Sequence, residues 1–200
     1  MIRQKKSRYI TLLSLSFLLP AMVTLLSGCP AIVAGTAATG VVLAQDRRTT
    51  GTIVEDQSIT LKAMKAISDE LNDDEDAHVS PHTYNNNLLL VGQAPTEDLR
   101  ERIEYAVRQI EKVRNVYNEI KIAAPTSTLV RSNDSWITTK IKSEMLMHKE
   151  INVARVKVVT EDGVVYLLGI LGPKEEGIAV DIARHTKGVK KVVKIIEPNA

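Results

Sequence analysis

Apolar and polar residues follow two different patterns along this chain, and the two patterns alternate. Short runs of mainly Leu and Val, at residues 88–91 and 164–168, are typical of buried β-strands. Between such runs apolar residues are spaced three or four apart, as in Ile137, Ile141 and Met145, which is typical of one face of an α-helix. The sequence therefore predicts helices that alternate with short strands.

The order of these elements is repeated. Gly92, which follows the first apolar run, corresponds to Gly169, 77 residues later, and residues 113–116 correspond to residues 189–192 at a spacing of 76. A proline and a pair of acidic residues follow each glycine, and acidic residues favour a helix N-terminus. Each repeat is predicted to fold as helix, strand, strand, helix, strand. The predicted fold class is α+β, with two tandem small α/β sandwich domains.

The pattern also gives approximate bounds for each element. In the first repeat the predicted helices cover residues 57–71 and 97–112, and the predicted strands cover residues 78–84, 88–93 and 115–122. In the second repeat the predicted helices cover residues 134–148 and 174–187, and the predicted strands cover residues 153–160, 164–168 and 189–196. The predicted helix cap is Asn133 or Asp134, the predicted hairpin turn is Asp162-Gly163, and the predicted end of the last helix is Gly188.

The first thirty residues have a pattern of their own. Four basic residues within positions 3–8 precede an apolar run over residues 9–26, which ends in Leu26-Ser27-Gly28-Cys29. This ending resembles the lipobox of bacterial lipoproteins, which implies cleavage between Gly28 and Cys29, an N-palmitoyl group and an S-diacylglycerol group on Cys29. The alternative is a transmembrane anchor with a chance cysteine, which Pro20 within the apolar run disfavours.

Five segments follow from these patterns. They are a signal peptide at residues 1–28, a lipidated N-terminus and tether at 29–54, a first domain at 55–123, a linker at 124–132 and a second domain at 133–197. Small side chains after Cys29 bury little area, which favours a tether, and the stretch Pro125-Thr126-Ser127-Thr128 is typical of a linker.

The repeat resembles tandem BON domains, which are small α/β modules of bacterial envelope proteins. The resemblance rests on Gly92, Gly169, residues 188–192 and the stretch Asn118-Glu119-Ile120. It implies an outer-membrane lipoprotein that faces the periplasm and supports outer-membrane integrity at division sites. Pro30 favours the outer membrane, because an Asp at that position marks lipoproteins of the inner membrane.

Residues 111–113 depart from the repeat, because they lack the glycine found in residues 187–189. This difference affects the predicted C-terminal end of the helix at residues 97–112 and not the predicted fold.

No motif of catalytic chemistry is present. The histidines are scattered, and the chain contains neither a nucleophile motif nor a phosphate-binding loop. The acidic run at residues 73–76 lacks the alternating ligands and the glycine of an EF-hand loop. We therefore expect no catalytic residues, no metal site, no cofactor and no nucleic-acid partner.

Charge distinguishes the two repeats. Residues 55–123 contain 14 acidic and 8 basic residues, a net charge of −6, whereas residues 131–200 contain 9 acidic and 12 basic residues, a net charge of +3. An anionic membrane surface should repel the first repeat and attract the second. The second repeat is therefore the predicted lipid-binding domain.

The first helix of the second repeat carries the predicted site. His148 is predicted to share the core face of this helix with Ile137, Ile141 and Met145, while Trp136 lies on a different face. An indole beside lysine and flexible apolar side chains suits a membrane interface. The predicted phospholipid-binding residues are Trp136, Thr139, Lys140, Lys142, Ser143, Leu146 and Met147. The resemblance adds to this, since BON domains are proposed to bind phospholipid, here an anionic one such as phosphatidylglycerol.

Two alternatives stay open at this point. Trp136, the only tryptophan, could instead pack between the two repeats. The protein could also be a periplasmic adaptor that contacts envelope proteins, such as the outer-membrane protein assembly machinery, through its acidic first repeat and the Trp136 face. In the first repeat position 58, which corresponds to Trp136, is a serine, and this suits a role in protein contact.

Overall fold

The computed structural model describes residues 46–71 and 76–199. The predicted signal peptide, Gly28, Cys29 and the first part of the predicted tether lie outside these residues. The first repeat consists of α1 (Thr50–Leu71), β1 (His78–Tyr84), β2 (Asn87–Ala94), α2 (Glu97–Arg108) and β3 (Asn115–Ile122). The second consists of α3 (Thr128–Met147), β4 (Val156–Glu161), β5 (Val164–Leu171), α4 (Pro173–His185) and β6 (Lys191–Pro198). The predicted α+β class and element order are confirmed.

Each repeat forms its own three-stranded sheet. The strand orders are β1-β2-β3 and β4-β5-β6. The first two strands of each sheet are antiparallel, and the third runs parallel to the second because a helix connects them. The strands β1 and β4 are therefore edge strands, and each lies beside the first helix of its own repeat.

The hairpin turns of the two repeats have the same backbone conformation. Asn85 and Asn86 have φ angles of 50° and 63°, and Asp162 and Gly163 have φ angles of 48° and 72°. Two successive positive φ values define the two-residue turn that matches the twist of β-strands. The predicted turn at Asp162-Gly163 is thus observed, and an Asn-Asn pair forms the same turn in the first repeat.

The side chains of each central strand alternate between two hydrophobic cores. In β2, Leu88 and Leu90 pack beneath α1 and α2, whereas Leu89 and Val91 contact residues of the second repeat. The partner residues include Tyr166 and Leu168 of β5. The two sheets therefore pack face to face, with the helices on the outside, and this explains why β2 and β5 are apolar on both faces.

Polar contacts join the two repeats around this shared core. The Gln93 side-chain amide donates to the Glu161 carboxylate at 2.7 Å, and the Asn87 amide donates to Glu197 at 2.6 Å. The Lys121 ammonium forms an ion pair with Asp162, also across the two repeats. These bonds complement the apolar contact and fix one arrangement of the two sheets.

The first helix of each repeat begins earlier than the sequence predicts. α3 begins at Thr128 with Ser127 as its cap, so the predicted cap at Asn133 or Asp134 is wrong and the predicted linker at residues 124–132 is partly helical. α1 likewise begins at Thr50, inside the predicted tether. Residues 128–133 carry no apolar periodicity, which is why the start of α3 is not visible in the sequence.

Two buried aspartates explain the misplaced cap. The Asp134 carboxylate lies inside α3 and accepts hydrogen bonds from the backbone N–H groups of Asp162 and Gly163, at 2.8 and 2.9 Å. Asp56 of α1 accepts equivalent bonds from Asn85 and Asn86, at 2.8 and 2.7 Å. Each aspartate caps a hairpin turn of its own repeat and does not cap its own helix.

The second helices end before the predicted positions. α2 ends at Arg108 and α4 at His185, and a left-handed residue follows each, namely Lys112 with φ 70° and Gly188 with φ 95°. Lys112 therefore takes the backbone conformation that glycine provides in the second repeat. A single 3₁₀ turn at Val153–Arg155 delays the start of β4, and His148 is exposed and does not join the core face.

Candidate functional site

The helix α3 presents two different sides. Ile137, Ile141 and Met145 are fully buried against the second sheet, as the periodicity predicts. The opposite side of the helix faces outward and carries the residues predicted to bind phospholipid.

Trp136 is the central side chain of this outward side. It is 51% exposed, and the Lys140 ammonium lies 5.9 Å from the centre of its ring, within range of a cation–π contact. Lys140 also forms an ion pair with Glu144 at 3.0 Å. Because surface pairs of this kind contribute little, Lys140 can exchange Glu144 for another anion at small cost.

The C-terminal end of α3 is apolar and exposed. Leu146 and Met147 are 73% and 85% exposed, the latter being the most exposed of the large apolar side chains among the described residues. Neither residue contributes to a hydrophobic core. Two flexible apolar side chains in water, on the same helix as a half-exposed indole, favour an apolar partner.

Two predicted hydroxyl groups are engaged within the helix. Thr139 Oγ1 donates to the carbonyl of Ser135, and Ser143 Oγ donates to the carbonyl of Thr139, both at 2.9 Å. A hydroxyl has one proton, so these two groups retain only acceptor capacity toward a ligand. Their direct contribution to binding a phosphate is therefore smaller than the sequence suggests.

The predicted residues occupy two stripes on α3. Trp136, Lys140, Ser143 and Met147 follow one another at helical spacing on the outward stripe. Thr139 and Lys142 lie nearer the first repeat, where both line a recess that also contains residues of β1. Lys142 has no hydrogen bond or ion pair with any residue that the structure describes.

The alternative in which Trp136 packs between the two repeats is wrong. The residues that join the repeats belong to the strands, such as Leu89, Val91 and Tyr166, whereas Trp136 lies on the outer layer. Trp136 is thus available to an external partner.

Chemical groups outside this surface were also considered as possible sites among the described residues. Within residues 46–71 and 76–199 there is no cluster of three or more His, Cys, Asp or Glu residues that could hold a metal ion. None of the helices in the described part of the chain is long and apolar enough to cross a membrane. Burial, followed by the nearby Lys157 ammonium, lowers the pKa of His82 to about 4.

Sequence reasoning missed the role of the segment Asp46-Arg47-Arg48. The Arg47 guanidinium donates to the carbonyl of Ile170 at 2.7 Å and pairs with Glu175 at 2.6 Å, both in the second repeat. The Arg48 guanidinium pairs with Asp46 and with Asp56 of the first repeat, and lies 4.0 Å from the centre of the Tyr84 ring. This segment, which we call the arginine clamp, therefore binds both repeats.

Comparison with known proteins agrees with this architecture. The family description BON domain matches residues 55–124 and 133–197. The chain is 36% identical to the Outer membrane lipoprotein DolP of Haemophilus influenzae over 172 residues, which covers 86% of this chain and 89% of that protein. It is 38% identical to the 21 kDa hemolysin of Actinobacillus pleuropneumoniae, over 76% of this chain and 78% of that protein.

A more distant relative matches over a smaller share of both chains. The Osmotically-inducible protein Y of Escherichia coli is 27% identical over 71% of this chain and 72% of that protein. The two matched segments coincide with the two sheets and their helices. The chain belongs to the BON domain family and contains two BON domains in tandem.

Proposed function

We propose that this protein is a non-enzymatic lipoprotein of the outer membrane that binds anionic phospholipid through the outward stripe of α3. Acylation of Cys29 would hold it on the membrane, facing the periplasm, and α3 would contact the lipid head groups. In this role the protein supports outer-membrane integrity, with division sites as its expected place of action. The lipid contact of α3 is the part of this proposal that can be tested directly.

Two observations support the membrane location. The Haemophilus influenzae relative is named an outer membrane lipoprotein, and this chain spans most of its length. The stretch Leu26-Ser27-Gly28-Cys29 resembles a lipobox, and Cys29 is the only cysteine available for acylation. Each buried methylene contributes about 0.8 kcal/mol, so two or three acyl chains anchor a protein stably.

The exposure of Trp136 carries the proposal for α3. Trp136 is half exposed, lies next to Lys140 and shares one helical face with Met147. Together these side chains combine an apolar body with a polar ring nitrogen and a cation. Such side chains are favoured at the level of lipid head groups, where one end is dry and the other is wet. The net charge of +3 in the second repeat supports attraction to an anionic surface.

Intrinsic fluorescence tests this contact directly, since Trp136 is the only tryptophan. The full protein would be reconstituted in vesicles of phosphatidylcholine, with and without phosphatidylglycerol. We expect a blue-shifted emission and quenching by brominated acyl chains in the anionic vesicles, and weaker effects in the neutral ones. Met147→Glu should reduce the quenching, because it places a negative charge on the outward stripe, which an anionic surface repels.

The chain provides a matched control on the first repeat. Ser58 of α1 is exposed and corresponds to Trp136, so the double variant Ser58→Trp, Trp136→Phe moves the fluorophore to the equivalent place. Its emission should stay red-shifted and unquenched. Equal quenching at the two positions, or equal quenching in both types of vesicle, contradicts the proposal. Absence of quenching together with protein adducts in crosslinking from position 136 in cells would favour the adaptor.

A further inference from the structure

A groove separates α1 from α3. The edge strands β1 and β4 lie next to each other at its floor, where the Lys157 ammonium donates to the carbonyl of Thr83 at 3.1 Å. Two recesses of about 610 and 550 Å³ form the groove, and Lys142 and Lys157 line both of them. The two recesses therefore adjoin at these lysines, and together they contain residues of both repeats.

Basic groups line the groove in excess. They are Arg48, His82, Arg131, Lys142 and Lys157. The acidic groups are Asp56, Asp134 and Glu161, and each is already engaged: the two aspartates by the turn amides and Glu161 by Gln93. Arg48 also pairs with Asp56. Three of the cations, Arg131, Lys142 and Lys157, pair with no carboxylate among the described residues, and Arg131 donates instead to the carbonyl of Thr126.

Lys157 has an unusual environment for a lysine. Burial, followed by the repulsion of Arg48, lowers the pKa of its ammonium. Its one hydrogen bond within the described residues goes to a neutral carbonyl, that of Thr83. A partly buried ammonium without a counter-ion is costly, and an anion that enters the groove would remove most of this cost.

Exposed apolar side chains lie along both helices beside the groove. Leu61 of α1 lines the larger recess and is 67% exposed, and Met64, one turn further along, is 54% exposed. On the other side Leu146 follows Lys142 by one helical turn and is 73% exposed. Cationic groups between exposed apolar side chains complement an amphiphile with an anionic head and apolar chains.

We propose that the groove between α1 and α3 binds the phosphate head group of a single anionic phospholipid, with Lys142 and Lys157 as its cationic ligands and Leu61 and Leu146 against its acyl chains. This proposal rests on the proposed function, since it identifies where on the protein the lipid phosphate binds. The groove proposal differs from the proposed function because the first repeat takes part directly in lipid binding, since α1 supplies one wall of the site.

A phosphatidylglycerol with a photoreactive head group tests the location. The full protein would be reconstituted in phosphatidylcholine vesicles that contain a small fraction of this lipid, irradiated and mapped by mass spectrometry. We expect adducts at groove residues, such as Thr60, Thr83 and Lys142. Lys157→Met should lower the adduct yield about tenfold. Lys142→Gln, at an exposed position that contributes to no core, should also lower it.

Lys62→Gln is the matched control. Lys62 is an exposed lysine of α1 that does not line the groove, and the yield should equal that of the unaltered protein. An unchanged yield in Lys157→Met and Lys142→Gln overturns the proposal. If excess inorganic phosphate suppressed the groove adducts, the site would be assigned to free phosphate. The proposal that it binds the phosphate of a phospholipid would then be overturned.

The two proposals fail separately. Adducts confined to the outward stripe of Trp136, Lys140 and Met147 overturn the groove and leave the proposed function intact. Groove adducts without quenching of Trp136 contradict the contact through the outward stripe and support the groove. Quenching of Trp136 in the Lys157→Met variant shows that this variant still folds and reaches the membrane.

Discussion

The helices α1 and α3 hold corresponding places in the two repeats, and they agree on their inner sides while they differ on their outer sides. The inner residues are Asp56, Ile59, Ala63 and Ile67 in α1, and Asp134, Ile137, Ile141 and Met145 in α3, each pair 78 positions apart. On the outer sides Ser58 corresponds to Trp136, and Met64 corresponds to Lys142. The shared fold constrains the inner side, so the two repeats are free to differ on the outer side.

The difference also shapes the groove between the two helices. Leu61 lines it from α1, where the corresponding residue of α3 is Thr139, and Lys142 lines it from α3, where the corresponding residue of α1 is Met64. At these two positions the first repeat is apolar, whereas the second is polar or cationic. The mixed composition of the groove therefore depends on the divergence of the two repeats.

The largest expected difference between the repeats concerns their strand glycines. Gly92 has φ +127°, and an added Cβ would lie 1.9 Å from the His78 carbonyl oxygen, whereas at Gly169 it would lie 2.7 Å from the Arg155 oxygen without a positive φ. Gly92→Ala should lower the free energy of unfolding by about 3 kcal/mol, and Gly169→Ala by about 1–2 kcal/mol. Urea unfolding followed by circular dichroism measures both.

Gly177 of α4 provides the control, because a Cβ there meets no atom within 4 Å. Gly177→Ala should raise the free energy of unfolding by about 0.5–1 kcal/mol, since alanine favours the helix. Equal losses for the two strand glycines would show that the positive φ of Gly92 carries no strain.

The buried aspartates give a difference of intermediate size. Both carboxylates cap a hairpin turn, but Asp56 also pairs with Arg48 at 2.8 Å. We expect Asp134→Ala to lower the free energy of unfolding by about 2 kcal/mol and Asp56→Ala by about 3 kcal/mol, because the second change also leaves a guanidinium without one partner. Urea unfolding of each variant measures these losses.

A double variant sharpens this comparison. In the background of Arg48→Gln the two aspartate substitutions should cost the same, since only the turn amides remain as partners. A persistent excess loss at Asp56 would assign the difference to something other than the ion pair. Asp181→Ala, at an exposed position of α4, should change stability by less than about 0.5 kcal/mol.

The smallest effect depends on pH and arises at His82, whose counterpart in β4 is Val159. The charged groups that line the recess beside His82 are Arg131, Asp134, Lys142, Lys157 and Glu161, and burial with Lys157 lowers the pKa of His82 to about 4. The unfolded chain, with a pKa of about 6.5, then binds the proton more readily. Stability should therefore fall as the pH falls from about 6.5 to about 4.

Replacement by the residue of the other repeat isolates this contribution. His82→Val should remove roughly 1–2 kcal/mol of the loss in unfolding free energy that the unaltered protein shows between pH 7.5 and pH 5. Urea unfolding at both pH values gives the comparison. Parallel pH profiles for the two proteins would mean that His82 titrates normally in the folded state.

Strand positions were predictable from the sequence because they depend on local pattern. Strands β1 and β3 have the bounds that the apolar runs and turn residues predict, and the turn at Asp162-Gly163 is a strong local signal. The buried face of α3 likewise follows from the spacing of Ile137, Ile141 and Met145. These features need no knowledge of the other repeat.

Features that depend on contacts distant in sequence were not predictable in the same way. The start of α3 was missed because Asp134 resembles a helix cap in sequence, whereas its partners are turn amides 28 and 29 residues away. The contact between the sheets was missed although Leu88, Leu89 and Leu90 signal burial on both faces, since an apolar run does not identify what covers it. The groove requires both repeats in their packed arrangement.

The arginine clamp has a mechanical consequence. Arg47 holds the second repeat and Arg48 holds the first, directly before α1 begins. A force applied to the chain before Asp46 therefore acts on both repeats. The first turn of α1 would unfold only after the ion pairs of Arg47 and Arg48 had broken. The clamp would therefore distribute a force applied through the N-terminal segment over both repeats.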